Sequence, residues 1–217
     1  MSQTSPPLHH NPVLGRLDRA SDWVARHWLA LLNTFLGLFV TLPWLSPLLM
    51  AVGLRGPAQV INRVYVAFCH QLPERSYFVF GYQVAHCHRC VAFYGSLFVG
   101  GLIYARMRPD RHRHDPHGQT RYAGLSIPLA ILLCLPMLLD ALSHTFGLRD
   151  AGAALGWLGQ DDTIGSVNWW LRLITGVIAG LALVFAIWPR IDNSFARSLA
   201  YNDYYRQLQN RGDPSRA

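Results

Sequence analysis

Three of the chain's four cysteines and three of its ten histidines fall in one short stretch: Cys69-His70, then His86-Cys87-His88-Arg89-Cys90. Thiolates and imidazoles are the ligands that zinc and other soft transition metals accept, so a metal site is the first expectation. Cys69, Cys87 and Cys90 supply the sulfurs of a Cys-x17-Cys-x2-Cys pattern. His70 is the first choice for a fourth ligand, with His86 or His88 next. Adjacent Cys69 and His70 do not readily reach one ion together, so one of them could instead stand behind the ligands. The same residues allow a second chemistry, thiol–disulfide exchange at Cys87-x-x-Cys90. A helix N-terminus and Arg89 would both favour the thiolate that this needs. A structural disulfide is the third option, and three cysteines would leave one without a partner. Cys134, set among leucines, reads as a packing residue.

The elements that must position this stretch are apolar. Hydrophobic residues make up 51% of the chain and charged residues 14%, against roughly 25% charged in soluble proteins. All 19 basic residues are arginine. The formal charge of +7 does not point to nucleic acid, because the arginines sit between apolar runs and in the tails. Residues 1–27 are too long, and too acidic at Asp18 and Asp22, for a cleavable signal peptide.

The resulting expectation is an all-α membrane protein with four transmembrane helices in a bundle and short amphipathic or disordered tails. The four-helix domain covers 28–188, with spans at about 28–54, 83–105, 122–148 and 167–188. Residues 1–27 form an N-terminal tail with a short interfacial helix, and 189–217 a C-terminal tail, partly amphipathic. Asp192-Asn193-Ser194 reads as the cap of that last helix. His112, His114 and His117 lie in a polar linker with no fixed geometry. Arginine density places both termini and the linker in the cytoplasm and the protein in the inner membrane, with the cysteines outward.

Charges inside these spans converge. At about 1.5 Å per residue, Arg89 lies about 9 Å along its span, Asp140 about 12 Å in from the same face, and Arg172 about 8 Å in. Buried charges face the bundle interior, so an Arg89/Asp140/Arg172 cluster is expected beneath the cysteines. Asp140 and His144 share a face. Asn168, Arg172, Gly176 and Gly180 step by four, and Ser96-x-x-x-Gly100 and Gly176-x-x-x-Gly180 are close-packing patterns. Asp140, Arg172 and Arg89 are the candidate catalytic residues. Arg75, Asn168 and Gln71 are candidates for holding an anionic or lipid-headgroup substrate.

The residues Cys69-His70-Gln71-x-Pro73-x-Arg75-Ser76, Cys87-x-Arg89-Cys90 with Tyr94-Gly95, Leu138-Leu139-Asp140 and Asn168-x-x-x-Arg172-x-x-Thr175-Gly176 resemble a family of small prokaryotic membrane proteins, domain of unknown function 2085. The resemblance covers roughly residues 60–185 and implies a helical membrane protein. It implies no reaction. Family members often carry Thr-Gly where this chain has Val91-Ala92-Phe93, and a glutamine where it has His144. Three functions therefore stand side by side: an outward-facing metal site, a membrane thiol oxidoreductase using Cys87, Cys90 and Cys69, and a non-catalytic scaffold. Whether the protein is an enzyme, and its oligomeric state, are left open by the sequence; the lipid bilayer is the expected partner.

Overall fold

The computed structural model describes residues 12–108, 124–145 and 163–211. The linker histidines and the acidic loop residues Asp161 and Asp162 lie outside the described residues, as does the side chain of His144. The run without charge from Trp28 to Leu54 lies, up to Ala51, inside one continuous helix, α1 (Pro12–Ala51), and its last three residues form the turn after it. The short interfacial helix expected at the N-terminus is thus the first part of α1. A left-handed Gly53 (φ 83°) reverses the chain into α2 (Arg55–Val66).

The sequence reading fails next. A helix was expected from about Gln83, but residues 76–87 form an antiparallel hairpin of β1 (Ser76–Val79) and β2 (Tyr82–Cys87). The fold is therefore mostly helical rather than all-α. Helix α3 (His88–Met107) begins only after the hairpin, with Cys87 as its N-cap residue. Phe80 and Gly81 both take positive φ (53° and 80°), as a two-residue turn matched to strand twist requires. A short 3-10 turn at Pro73–Arg75 leads into the hairpin.

Helices α4 (Ile127–Thr145) and α5 (Val167–Arg211) complete the described chain. α3 and α5 run parallel and close together. A Cβ at Gly176 would stand 3.0 Å from the Ala92 Cβ and 3.1 Å from the Arg89 carbonyl oxygen, and one at Gly180 2.7 Å from the Phe93 carbonyl oxygen. Only a hydrogen fits at such separations, which is how small residues bring membrane helices together. α4 runs antiparallel to α5: the Leu125 N–H donates to the Phe185 carbonyl at 2.8 Å, and the half-buried Cys134 thiol reaches the Ala179 carbonyl at 3.8 Å.

Among the described residues, three helices are long and apolar enough to cross a membrane: Arg16–Ala51, His88–Met107 and Val167–Leu208. Ile127–Leu142 is a shorter apolar helix. The core cluster of Trp28, Leu29, Leu36, Tyr104, Val184 and Trp188 joins α1, α3 and α5. α5 passes without a break through Asp192-Asn193-Ser194, so no helix starts there and the expected cap is corrected. The Asp192 carboxylate has other partners. It is fully buried and accepts from Trp28 Nε1 at 3.2 Å, Tyr104 Oη at 3.1 Å and Arg108 at 2.9 Å.

Candidate functional site

The site is assembled where α2, the hairpin and α3 meet. Cys69 follows α2, Cys87 ends β2, and Cys90 is the third residue of α3. Their sulfurs all lie within 4.8 Å of one another. Cys69 is buried and the other two are half-buried. The backbone N–H of Cys87 donates to Cys69 Sγ at 3.1 Å, and that of Gln71 does so at 3.5 Å. Two N–H groups turned toward one sulfur stabilise negative charge there. Among the described residues this is the one group of three or more ligating side chains close enough to share an ion, and no histidine belongs to it.

Gln71 makes this geometry possible. It takes a left-handed conformation, φ 51°, which bends the chain after Cys69 and turns its own N–H back to the sulfur. Its side-chain amide donates to the Asn62 carbonyl at 2.8 Å, and its backbone carbonyl accepts from Gln83 Nε2 at 2.6 Å. Gln83 also donates to Ser76 Oγ at 3.0 Å, and Ser76 donates to the Leu72 carbonyl at 2.9 Å. The amide side chains thus satisfy the irregular backbone between Asn62 and Ser76.

Thiols interact strongly at these separations. Hydrogen bonds from Cys69 and Cys90 hold the Cys87 thiol well below its ordinary range, aided by the nearby Arg89 charge and opposed by burial. Cys69 is pushed up, chiefly because it donates to Cys87.

The histidines separate by role. His70 is exposed and lies outside the sulfur group. His86 is 1% exposed and sits in an aromatic box, its ring centre 4.9 Å from Tyr65, 5.3 Å from Tyr94 and 5.6 Å from Phe39. Burial holds its pKa down to about 4, so it is neutral near pH 7. His88 is equally buried, packed against Tyr77 at 4.4 Å and Trp169 at 6.3 Å.

Beneath the sulfurs, Arg89 and Asp140 form a direct ion pair, with Asp140 9% exposed at its side chain. Arg172 (2% exposed) and Asn168 (3%) are buried on α5, one and two turns before Gly176, which faces Arg89. All four members of the 168–172–176–180 series are buried. Arg75 is half-buried at the end of the 3-10 turn. Sequence reasoning missed the aromatic box and the Asp192 clamp. Tyr65, Tyr94 and Trp28 give no local signal of either.

No solved structure matches this chain. An uncharacterized protein of Methanocaldococcus jannaschii is 32% identical over 129 residues, which is 58% of this chain and 65% of the relative. The chain thus spans just under two thirds of that relative's length. An uncharacterized protein of Methanothermobacter thermautotrophicus is 27% identical over 115 residues, 53% of this chain and 79% of the relative. A family model described as predicted membrane protein (DUF2085) matches residues 69–186, a stretch that opens at Cys69 and contains all three clustered sulfurs, Arg89, Asp140 and Arg172; the chain belongs to this family.

Proposed function

We propose that Cys69, Cys87 and Cys90 bind one soft metal ion, zinc or a similar transition metal, in a four-span membrane bundle. The observation that carries this reading is the approach of three sulfurs, from three separate chain elements, to within 4.8 Å. Three sulfurs at about 2.3 Å from one tetrahedral ion stand about 3.8 Å apart, so closure by about 1 Å completes the set. The N–H donors to Cys69 and the low thiol pKa of Cys87 favour the deprotonated sulfurs that a metal needs. Three sulfurs leave a fourth position for His70 or for an exchangeable ligand. With an exchangeable ligand, the ion supplies Lewis-acid chemistry.

In this reading Asp140 orients groups beside the ion through Arg89, while Arg172, Asn168, Arg75 and Gln71 line the approach of an anionic or lipid substrate. α4, at 19 residues, is about 28 Å long and serves as the fourth span. The arginine-rich ends place both termini in the cytoplasm and the sulfurs on the outer side of the inner membrane.

Protein purified in detergent without chelator should carry about one equivalent of metal by elemental analysis, as expected for one closed ligand set. Cys87→Ser should abolish it. Folded wild-type protein free of metal would overturn the reading.

The second reading, thiol exchange, is favoured by Cys87 itself, an acidified thiol at a helix N-terminus with Cys90 one turn on. It predicts a trappable mixed disulfide at Cys87 in the Cys90→Ser variant. Thiols inert to alkylation under reducing and oxidising conditions alike would exclude it.

A further inference from the structure

Helix α2 does not stand clear of the bundle. Ser46 donates to Asn62 Oδ1 at 2.7 Å and to the Ala58 carbonyl at 3.4 Å, and Tyr65 Oη donates to the Phe39 carbonyl at 2.8 Å. Phe39 and Ser46 are separated on α1 by the same number of residues as Ala58 and Tyr65 on α2. The two helices therefore run antiparallel and in step for about 10 Å. The reversal at Gly53 sends α2 back down the helix that the chain has just climbed.

The depth of α2 follows from α1. Trp28 marks the end of the bundle where Asp192 and Arg108 sit. A hydrocarbon layer of about 30 Å covers about 20 residues of upright helix, which puts its far boundary near Leu48. The exposed apolar stripe Leu31, Phe35, Leu38, Leu42, Leu45 and Leu48 spans the same interval. Ala58, level with Ser46, then lies close to that boundary, and Tyr65, level with Phe39, about 13 Å beneath it. The outward face of this descending half carries Val60 and Val64, one turn apart and exposed by 60% and 54%, and the turn that follows it carries Phe68, exposed by 49%. Arg63 shares this half, but a helical side chain leans toward its own N-terminus, here toward the headgroups, where a long arginine can place its charge.

We propose that α2 is a re-entrant helix: it dips into the leaflet at the cysteine end, with Val60, Val64 and Phe68 against acyl chains, and sets the sulfur cluster below the headgroup plane. Irregular backbone at such depth must be satisfied by protein, and the loop after α2 meets this condition through the Gln71, Gln83 and Ser76 side chains. A soluble protein cannot meet these sulfurs without entering the leaflet; small solutes and membrane-dissolved amphiphiles can. The inference stands whichever chemistry the sulfurs perform.

The test places the photo-cross-linker p-benzoylphenylalanine at Val60, Val64 or Phe68, one site at a time, in the full chain in phosphatidylcholine/phosphatidylglycerol vesicles. Leu38, on the exposed stripe of α1, is the reference site. Mass spectrometry should find acyl-chain adducts at Val64 and Phe68 within about threefold of the Leu38 yield. Acyl adducts at Leu38, with none or only protein adducts at the α2 sites, would overturn the proposal. Val60 and Val64 are exposed, Phe68 is about half exposed and packs edge-on against Phe39 at 5.1 Å, and unchanged gel-filtration elution checks the fold of each variant.

Discussion

The two ends of the helix bundle use buried polar groups in opposite ways. At the Asp192 end, one carboxylate takes donors from α1, α3 and the residue after α3, and each donor is directed at that one group. At the cysteine end, three sulfurs face one another across 4.8 Å or less, and two backbone N–H groups donate to one of them, Cys69. A saturated carboxylate with an arginine is a clamp: its partners leave nothing to react. Three sulfurs held this close are the ligand set of the proposed metal site. The difference fits a structural role for the first end and the proposed chemistry for the second.

Breaking the clamp gives the largest expected effect. Asp192→Ala leaves a half-buried guanidinium, an indole N–H and a phenol without their acceptor, a loss of about 3–5 kcal/mol. Unfolding in detergent micelles measures it. Asp192→Asn keeps an acceptor and removes the charge, so it should cost about half as much. Either variant should keep its metal for as long as it stays folded. A change below about 1 kcal/mol in Asp192→Ala would remove the distinction between the ends.

Overpacking the helices that join the two ends comes next. A Cβ at Gly101 collides with Asn33 Oδ1 and the Trp188 ring, near the clamp, and one at Gly180 collides with Ser96 and the Phe93 carbonyl. Each Gly→Ala change should cost about 1–3 kcal/mol. By contrast Gly95, which has open space around its Cβ position, should tolerate alanine within about 0.5 kcal/mol. Thermal unfolding of the three variants side by side decides this.

Much of this arrangement could be read from the chain itself, where one element carries its own pattern. The run without charge after Trp28 marks a span, and the series Asn168, Arg172, Gly176, Gly180 marks the buried face of α5 before any neighbour is known. The Arg89–Asp140 pair follows from matching depths. What could not be read depends on partners distant in sequence. Asp192-Asn193-Ser194 has the local preference of a cap, yet donors more than 80 residues away hold Asp192 inside a helix instead. The hairpin was hidden because the apolar run Val91–Tyr104 is too short for a span and invites extension back to Gln83, and Phe80-Gly81 is a weak turn signal beside Asn-Gly. The exposed position of His70 outside the sulfur group follows the bend at Gln71, which no spacing rule contains.

Removing the proposed metal should act on one end alone. Chelation should speed hydrogen exchange at the Gln71 and Cys87 amides, which donate to Cys69 Sγ, by roughly tenfold or more, because local opening there no longer has to break the metal site. Amides around Tyr104 should be unchanged. Equal acceleration at both ends would mean that the sulfurs hold the whole bundle together.

The smallest effect separates two strained residues within the cysteine end. Phe80 and Gln71 are the described non-glycine residues with positive φ, a conformation that costs a bulky side chain about 1 kcal/mol. Phe80 is 73% exposed at the hairpin turn, so Phe80→Asn should relieve the strain and raise stability by about 0.5–1 kcal/mol. Gln71→Gly relieves the same strain but deletes the amide that donates to the Asn62 carbonyl, a buried bond worth about 1 kcal/mol. The glycine also frees the bend that turns its N–H toward Cys69. Stability should therefore change little in Gln71→Gly while metal affinity falls. Equal gains in stability at both positions, with metal affinity intact, would mean that Gln71 is an ordinary turn residue.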